Sequence, residues 1–264
     1  MSDTSSYPAI IPITGAWHVP EHYSILSNRL RHLGYTVECP LLMTNNDADP
    51  PNRTLDDDIV QIRELVMQHL NQGRDVVAVM HSYGGVVGTT ALSGLGAADR
   101  KGLACVKALI YMTAFMPLEH EALADIFGGG LPPWLSPNDK GTIDVEDPGD
   151  HFYHDLTPEE RTRWTSRLVR HPTAAQFNAP KGTKGKAAWR SIPVTYLVCR
   201  NDRALPEAVQ EMMASRIEKA DSGVVVHREY CEASHSPFLS MPDRVVEVVR
   251  GVCQRGLDGP SGAH

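Results

Sequence analysis

Asp75-Val76-Val77-Ala78-Val79-Met80-His81-Ser82-Tyr83-Gly84-Gly85-Val86-Val87-Gly88-Thr89-Thr90-Ala91-Leu92 is the stretch that decides the fold. Val76 to Val79 form a short β-branched run of the kind that makes a buried strand, and the residues from Gly85 onward have helical character. Between them Met80-His81-Ser82-Tyr83-Gly84 is a sharp, serine-centred turn. The usual form of such a turn is Gly-x-Ser-x-Gly, in which small residues two before and two after the serine let the chain reverse tightly and hold the hydroxyl above the sheet edge. Gly84 supplies the second small residue, but Met80 stands where the first is expected. Along the strand Met80 points away from the serine, so it is expected to alter packing without abolishing the turn.

On the N-terminal side, a first strand is expected at Ala9–Ile13, where Pro12 removes one ladder donor and belongs at an edge or bulge. A helix follows from about Glu21 to Leu33, and a second strand at Tyr35–Cys39, closed by Pro40. After a loop rich in Asn, Asp and Pro, Thr54 caps a helix with acids in its first turn and Gly73 at its end. On the C-terminal side, residues 105–113 form strand four, Val194–Cys199 strand five and Val224–His227 strand six. Helices are expected from Pro206 to about Lys219 and from Pro242 to about Arg255.

Between Pro117 and about Arg190 the strand pattern stops. Short helical pieces remain, one of them opened by the capping box Thr157-Pro158-Glu159-Glu160 and running to about Val169. Long insertions of this kind commonly cover the C-terminal ends of a sheet. The expected architecture is therefore α/β: a doubly wound, mostly parallel six-stranded sheet with a mainly helical lid inserted after strand four. Residues 1–8 are a polar leader, 9–116 and 191–255 the two parts of the core, 117–190 the lid and 256–264 a tail expected to lack order.

Composition narrows the function. The 264 residues carry a net charge of −7 with no dominant block of Lys or Arg, so nucleic acid has no electrostatic footprint. No run approaches the roughly 18 apolar residues of a membrane span, and the first residues have no basic or long apolar signal. Five cysteines without Cys-x-x-Cys spacing are read as reduced thiols, and the protein is expected to be cytoplasmic. The Asn52-Arg53-Thr54 sequon is then idle.

Three expected strand ends bear the groups that acyl transfer needs, in the order Ser82, Asp202, His235. A serine hydroxyl is a weak nucleophile without a base, and an imidazole needs a carboxylate to fix its tautomer and stabilise its cation. Two N–H donors are expected for the developing oxyanion: Tyr83, directly after the nucleophile, and Ala16, in the turn after strand one. Asp202 has a competing role as a capping acid before the helix at Pro206. His81 is expected to point away from the hydroxyl by strand alternation. His151 and His154, beside Asp150 and Asp155, superficially resemble a metal cluster but are read as surface histidines, and no metal or cofactor is expected.

Thr14-Gly15-Ala16-Trp17-His18, His81-Ser82-Tyr83-Gly84-Gly85, Asn201-Asp202-Arg203 and His235-Ser236-Pro237-Phe238-Leu239-Ser240 together resemble the α/β-hydrolase superfamily, in particular its compact branch of plant methylesterases, hydroxynitrile lyases and related microbial and fungal hydrolases. The likeness runs over residues 9–250 and is weakest in the lid. It implies a cofactor-free enzyme with Ser82, Asp202 and His235 as triad and Ala16 and Tyr83 as oxyanion hole. The chain departs from the pattern at Thr14, where many relatives have His, at Met80, and at Ser234, where Gly often precedes the catalytic His. The similar lyases carry Thr at the position of Gly15 and Lys at that of Ser236, so ester hydrolysis is favoured over cyanide release.

The expected substrate is a carboxylic ester or lactone of a small to medium apolar molecule. Trp17, His18, Phe115, Met116, Trp134, Phe152, Tyr153 and Trp164 are the side chains available to line its pocket, with packing inside the protein as the alternative for each. The loop Lys181-Gly182-Thr183-Lys184-Gly185-Lys186 could attract an anion, but a solvated loop is the simpler reading. Two other functions stay open: a cofactor-free lyase or other carbon-carbon bond enzyme using His235 as base, and a ligand receptor that keeps the pocket. The sequence leaves the oligomeric state undetermined.

Overall fold

A computed structural model describes residues 7–181 and 186–257. The central sheet is parallel and five-stranded, in the order β1 (Ala9–Ile13), β2 (Val76–Ser82), β3 (Val106–Ala114), β6 (Val194–Cys199) and β7 (Val226–Cys231). Apart from the partly exposed Lys107, the first four strands are buried throughout, as expected of a sheet covered on both faces.

The sixth strand does not form, and Pro12 gives the reason. On the free side of β1, Ile10 donates to the Thr36 carbonyl (2.8 Å) and accepts from Glu38 N–H (3.1 Å), which leaves a single parallel bridge to Val37. The next donor facing that side, two residues on, would be residue 12, and proline has none. The pairing stops after one step.

That vestigial bridge still sets the topology. From β1 the chain passes outward through α1 (Ser24–His32) to Val37, then returns through α2 (Leu55–Asn71) to β2 on the opposite side of β1. The direction of winding reverses between β1 and β2, and in open α/β sheets ligands bind at such a reversal, outside the strands' C-terminal ends. Helix α1 packs against α10 (Pro242–Leu257), whereas α2 packs against α3 (Gly84–Ala91). Thr54 caps α2 through a reciprocal bond in which Asp57 accepts from Thr54 N–H at 2.7 Å.

The segment between β3 and β6 holds helices α4 (Leu123–Ile126), α5 (Pro148–Tyr153), α6 (Pro158–Thr165) and α7 (Thr173–Phe177). It also contains a small antiparallel hairpin, β4 (Leu135–Pro137) with β5 (Ile143–Val145), where no strand was expected. Three-residue strands are too short for an alternation pattern to reveal them. Helix α6 is shorter than its sequence pattern, since residues 166–169 leave the helix and Val169 N–H instead donates to the Trp17 carbonyl (3.0 Å). Strand β7 begins and ends later than expected, at Val226 and Cys231. Helices α8 (Glu207–Ala220) and α9 (Pro237–Ser240) complete the chain. Residues 1–6 of the leader, 258–264 of the tail and 182–185 of the lysine-bearing loop lie outside the described residues.

Candidate active site

Ser82 is the last residue of β2 and has φ of 50°, in the left-handed region that β-carbon-bearing residues rarely adopt. Holding it there costs on the order of 1–3 kcal/mol, which the surrounding packing must supply. Gly84 makes the turn possible, because a β-carbon there would collide with the Ile13 carbonyl oxygen. The absent first glycine is compensated across the sheet–helix contact. Met80 is fully buried, and its sulfur fills the space beside Gly88 of α3, where a β-carbon would strike it. A small residue is still required, but it sits on the helix.

His235 lies in the loop between β7 and α9, and Asp202 in the loop after β6. The His235 Nδ1 is 2.7 Å from Asp202 Oδ2, and both residues are buried, at 3% and 5% exposure. Asp202 divides its work between its oxygens. Oδ2 meets His235 and accepts from the Thr113 hydroxyl, while Oδ1 accepts from Ala204 and Leu205 N–H at 2.7 and 2.8 Å. Asp202 does not cap α8, whose N-cap Pro206 receives no side-chain bond; its Oδ1 instead fixes the loop that leads into that helix while Oδ2 holds the histidine.

Ser82 and His235 face the same pocket, about 370 Å³ including its mouth, as do Ala16 and Tyr83. Neither the Ala16 nor the Tyr83 backbone N–H has an acceptor among the described residues. The Gly15-Ala16 turn is held from three sides: Gly15 N–H donates to Tyr23 OH (3.0 Å), and Asn45 Nδ2 donates to the Gly15 and His18 carbonyls (both 2.9 Å).

Beneath the site lies a set of buried histidines whose tautomers follow from their partners. His81 Nε2 must donate to the His235 carbonyl (2.8 Å), which leaves Nδ1 to accept from Tyr23 OH (2.6 Å). His18 Nδ1 must donate to the Ala16 carbonyl (2.7 Å), so its Nε2 accepts from Tyr153 OH (2.9 Å). Burial drives the pKa of both histidines well below the usual value, His81 being further opposed by its neighbour His235, and burial holds the Tyr23 hydroxyl protonated. Tyr23 and His81 therefore bridge the Gly15 turn to the backbone of His235 without a charge. Asp58 is also buried. Its carboxyl accepts from Tyr83 OH (2.9 Å), Thr44 N–H (3.0 Å) and Thr44 Oγ1 (2.6 Å), and burial pushes its pKa up to about 6.

Of the side chains expected to line the pocket, Trp17, Phe115, Trp134 and Phe152 do so. The other four pack elsewhere. His18 and Tyr153 bond to each other under the turn. Met116 is buried, with its backbone N–H on the Met213 sulfur, and Trp164 packs on His22 and under Arg163. Sequence reasoning missed Leu123, Phe127, Leu135 and Gln176 on the pocket wall, and Thr113, Tyr23, Asn45 and Asp58 behind it. Thr113 had a signal, a polar residue at a strand end beside the serine turn; the rest had none. His151 stacks on Trp134 at 4.3 Å, and among the described residues no group of three His, Cys, Asp or Glu side chains is arranged to hold a metal ion.

The model of the alpha/beta hydrolase family matches residues 11–248. The chain belongs to that family. It is similar to the alpha/beta hydrolase nvfD of Aspergillus novofumigatus (strain IBT 16806), 32% identical over 95% of this chain and 98% of that one. Among solved structures, this family member shares its fold with a pyrethroid hydrolase from Sphingobium faniae JZ-2, with TM-score 0.72, 22% identity and coverage of 96% and 98% of the two chains. It also resembles the methylesterase MES16 from Arabidopsis, with TM-score 0.68, 18% identity and coverage of 93% and 98%. Among the described residues of the hydrolase, no helix is long and apolar enough to cross a membrane.

Proposed function

We propose that this hydrolase cleaves carboxylic esters or lactones of small to medium apolar molecules through an acyl-enzyme on Ser82. The observation that carries the reading is the one pocket lined by Ser82, at a strained strand-to-helix turn, by His235 held on Asp202, and by Ala16 and Tyr83, whose N–H groups are unpaired among the described residues. Ser82 Oγ attacks the carbonyl carbon while His235 Nε2 takes its proton. Asp202, already bonded to Nδ1, stabilises the imidazolium. The carbonyl oxygen becomes an anion between the two N–H donors, each worth about 10²- to 10³-fold in rate. Collapse expels the alcohol, which receives the proton from His235, and water then reverses the sequence to release the acid. Residues 117–190 act as the lid, since Leu123, Phe127, Trp134, Leu135, Phe152 and Gln176 close the pocket from that side.

Cyanide-releasing lyase chemistry is disfavoured at Gly15. A β-carbon there would lie 2.7 Å from His81 Nδ1, so the threonine of the similar lyases has no room. The test is Ser82→Ala, which should lower turnover by several orders of magnitude in a folded protein. Intact-mass spectrometry over aryl, methyl and lactone substrates should show an acyl adduct on wild type and none on the variant. Near-wild-type turnover by Ser82→Ala would end this reading.

A further inference from the structure

The pocket is walled by hydrocarbon, with Leu123, Phe127, Leu135, Phe115 and Phe152 around the reacting groups. Gln176 interrupts it. The residue belongs to α7, which packs against α4, and it lines the pocket at only 2% exposure. A glutamine amide offers two donor hydrogens and a carbonyl acceptor. Neither Oε1 nor Nε2 of Gln176 has a hydrogen-bond partner among the described residues, and neither belongs to the fully enclosed side-chain atoms left without one, so the amide opens on the pocket instead of being sealed in the core. Apart from the Ser82 hydroxyl and His235 Nε2, which the proposed reaction itself uses, the other buried polar side chains of the wall are engaged: the Trp17 indole donates to the Ile143 carbonyl (3.3 Å), the Tyr83 hydroxyl to Asp58 (2.9 Å), and His235 Nδ1 is held by Asp202. Leucine or methionine would fill this position without leaving an amide unpaired, so the position has a polar use that the protein alone does not satisfy.

We propose that Gln176 is a specificity-determining residue that binds a second oxygen of the substrate, a ketone or hydroxyl remote from the scissile carbonyl. The substrate class is then an oxygenated apolar ester or lactone rather than a plain hydrocarbon ester. The inference rests on the ester-hydrolase reading and deepens it. The apolar walls take the carbon skeleton, Ser82 and the oxyanion donors take the ester group, and Gln176 fixes how far along the skeleton the second oxygen must lie. An analogue lacking that oxygen leaves the amide unpaired in the complex, which is how a site built to hydrogen-bond its substrate rejects a plain one.

The test uses matched esters that differ by one carbonyl: p-nitrophenyl pentanoate, hexanoate and heptanoate against their 4-, 5- and 6-oxo counterparts, and cyclohexyl acetate against 4-oxocyclohexyl acetate for the alcohol side. Wild type should favour the oxo ester in at least one pair by tenfold or more in kcat/KM, beyond the ratio of their spontaneous hydrolysis, with the difference mainly in KM. Gln176→Leu and Gln176→Met should abolish that preference, so that within each variant the oxo and plain esters of a pair differ in kcat/KM by no more than their spontaneous hydrolysis does. Equal oxo-to-plain ratios in wild type and both variants overturn the proposal. Ser82→Ala, run in parallel, separates the two readings, because turnover that survives it refutes the acyl-enzyme whatever the ratios show. If wild type cleaves none of the esters, calorimetric binding of the same pairs to Ser82→Ala decides. An oxo preference removed by adding Gln176→Leu upholds the role of Gln176, and no preference overturns it.

Discussion

Gly15→Ala adds one methyl group at the point where the Gly15-Ala16 turn, the serine turn and His81 converge. The new β-carbon would lie 2.7 Å from His81 Nδ1 and 3.0 Å from Ser82 Cβ. Relaxed contacts between such atoms are about 3.5–4.0 Å, so roughly 1 Å of movement is needed. His81 cannot supply it cheaply, because it is fully buried and bonded at both nitrogens, to Tyr23 OH at 2.6 Å and the His235 carbonyl at 2.8 Å. The turn should give way instead and carry the Ala16 N–H away from the oxyanion position proposed for it. A displacement of that size, or loss of one oxyanion donor, typically costs about 10²-fold or more. With p-nitrophenyl acetate, kcat should fall about 100-fold, KM should stay within a few-fold, and overpacking should lower stability by about 1–3 kcal/mol. A folded Gly15→Ala enzyme that keeps kcat within threefold of wild type would refute both the crowding argument and the assignment of Ala16 as an oxyanion donor.

Met80→Gly restores the usual serine-turn signature yet should weaken the protein, because it empties the space that Met80 fills beside Gly88. Chemical denaturation should show a loss of about 3–5 kcal/mol, and a change below about 1 kcal/mol would mean that Met80 does not support the turn. Asp58 supplies a pH signature. Its folded-state pKa of about 6 lies above the ordinary 3.8, so between those values the folded protein holds a proton that the unfolded chain has lost. Raising the pH through that window therefore costs stability, on the order of 3 kcal/mol from this group, and the loss is complete above about pH 6. Asp58→Asn removes the titration, so its thermal midpoint should gain on wild type as the pH rises from 4 to 7; parallel curves would show that Asp58 does not titrate this way.

Sequence alone determined the frame. A β-branched run, a serine turn ending in Gly84 and two later strand ends bearing Asp202 and His235 are local patterns, and each depends on chemistry that neighbouring residues carry. The six-strand count failed at Tyr35–Cys39, although its cause, the missing donor of Pro12, was visible in the chain. Local pattern could not show which side of β1 that donor faced.

The pocket was decided by tertiary structure. Trp17 and Phe152 reach it, whereas Trp164 and Tyr153, equally aromatic and equally placed by sequence, bury themselves against His22 and His18. Nothing in an aromatic side chain tells which face of an insertion it will occupy. The same holds for polar residues. Asp58 was one of several acids in a first helical turn with nothing to set it apart, yet it became the buried partner of Tyr83, and Gln176 had no pattern at all. Strand and turn chemistry is written in residues close in sequence, whereas this cavity wall is the meeting of segments drawn from Ala16 to His235, and its contents are fixed only when those segments pack.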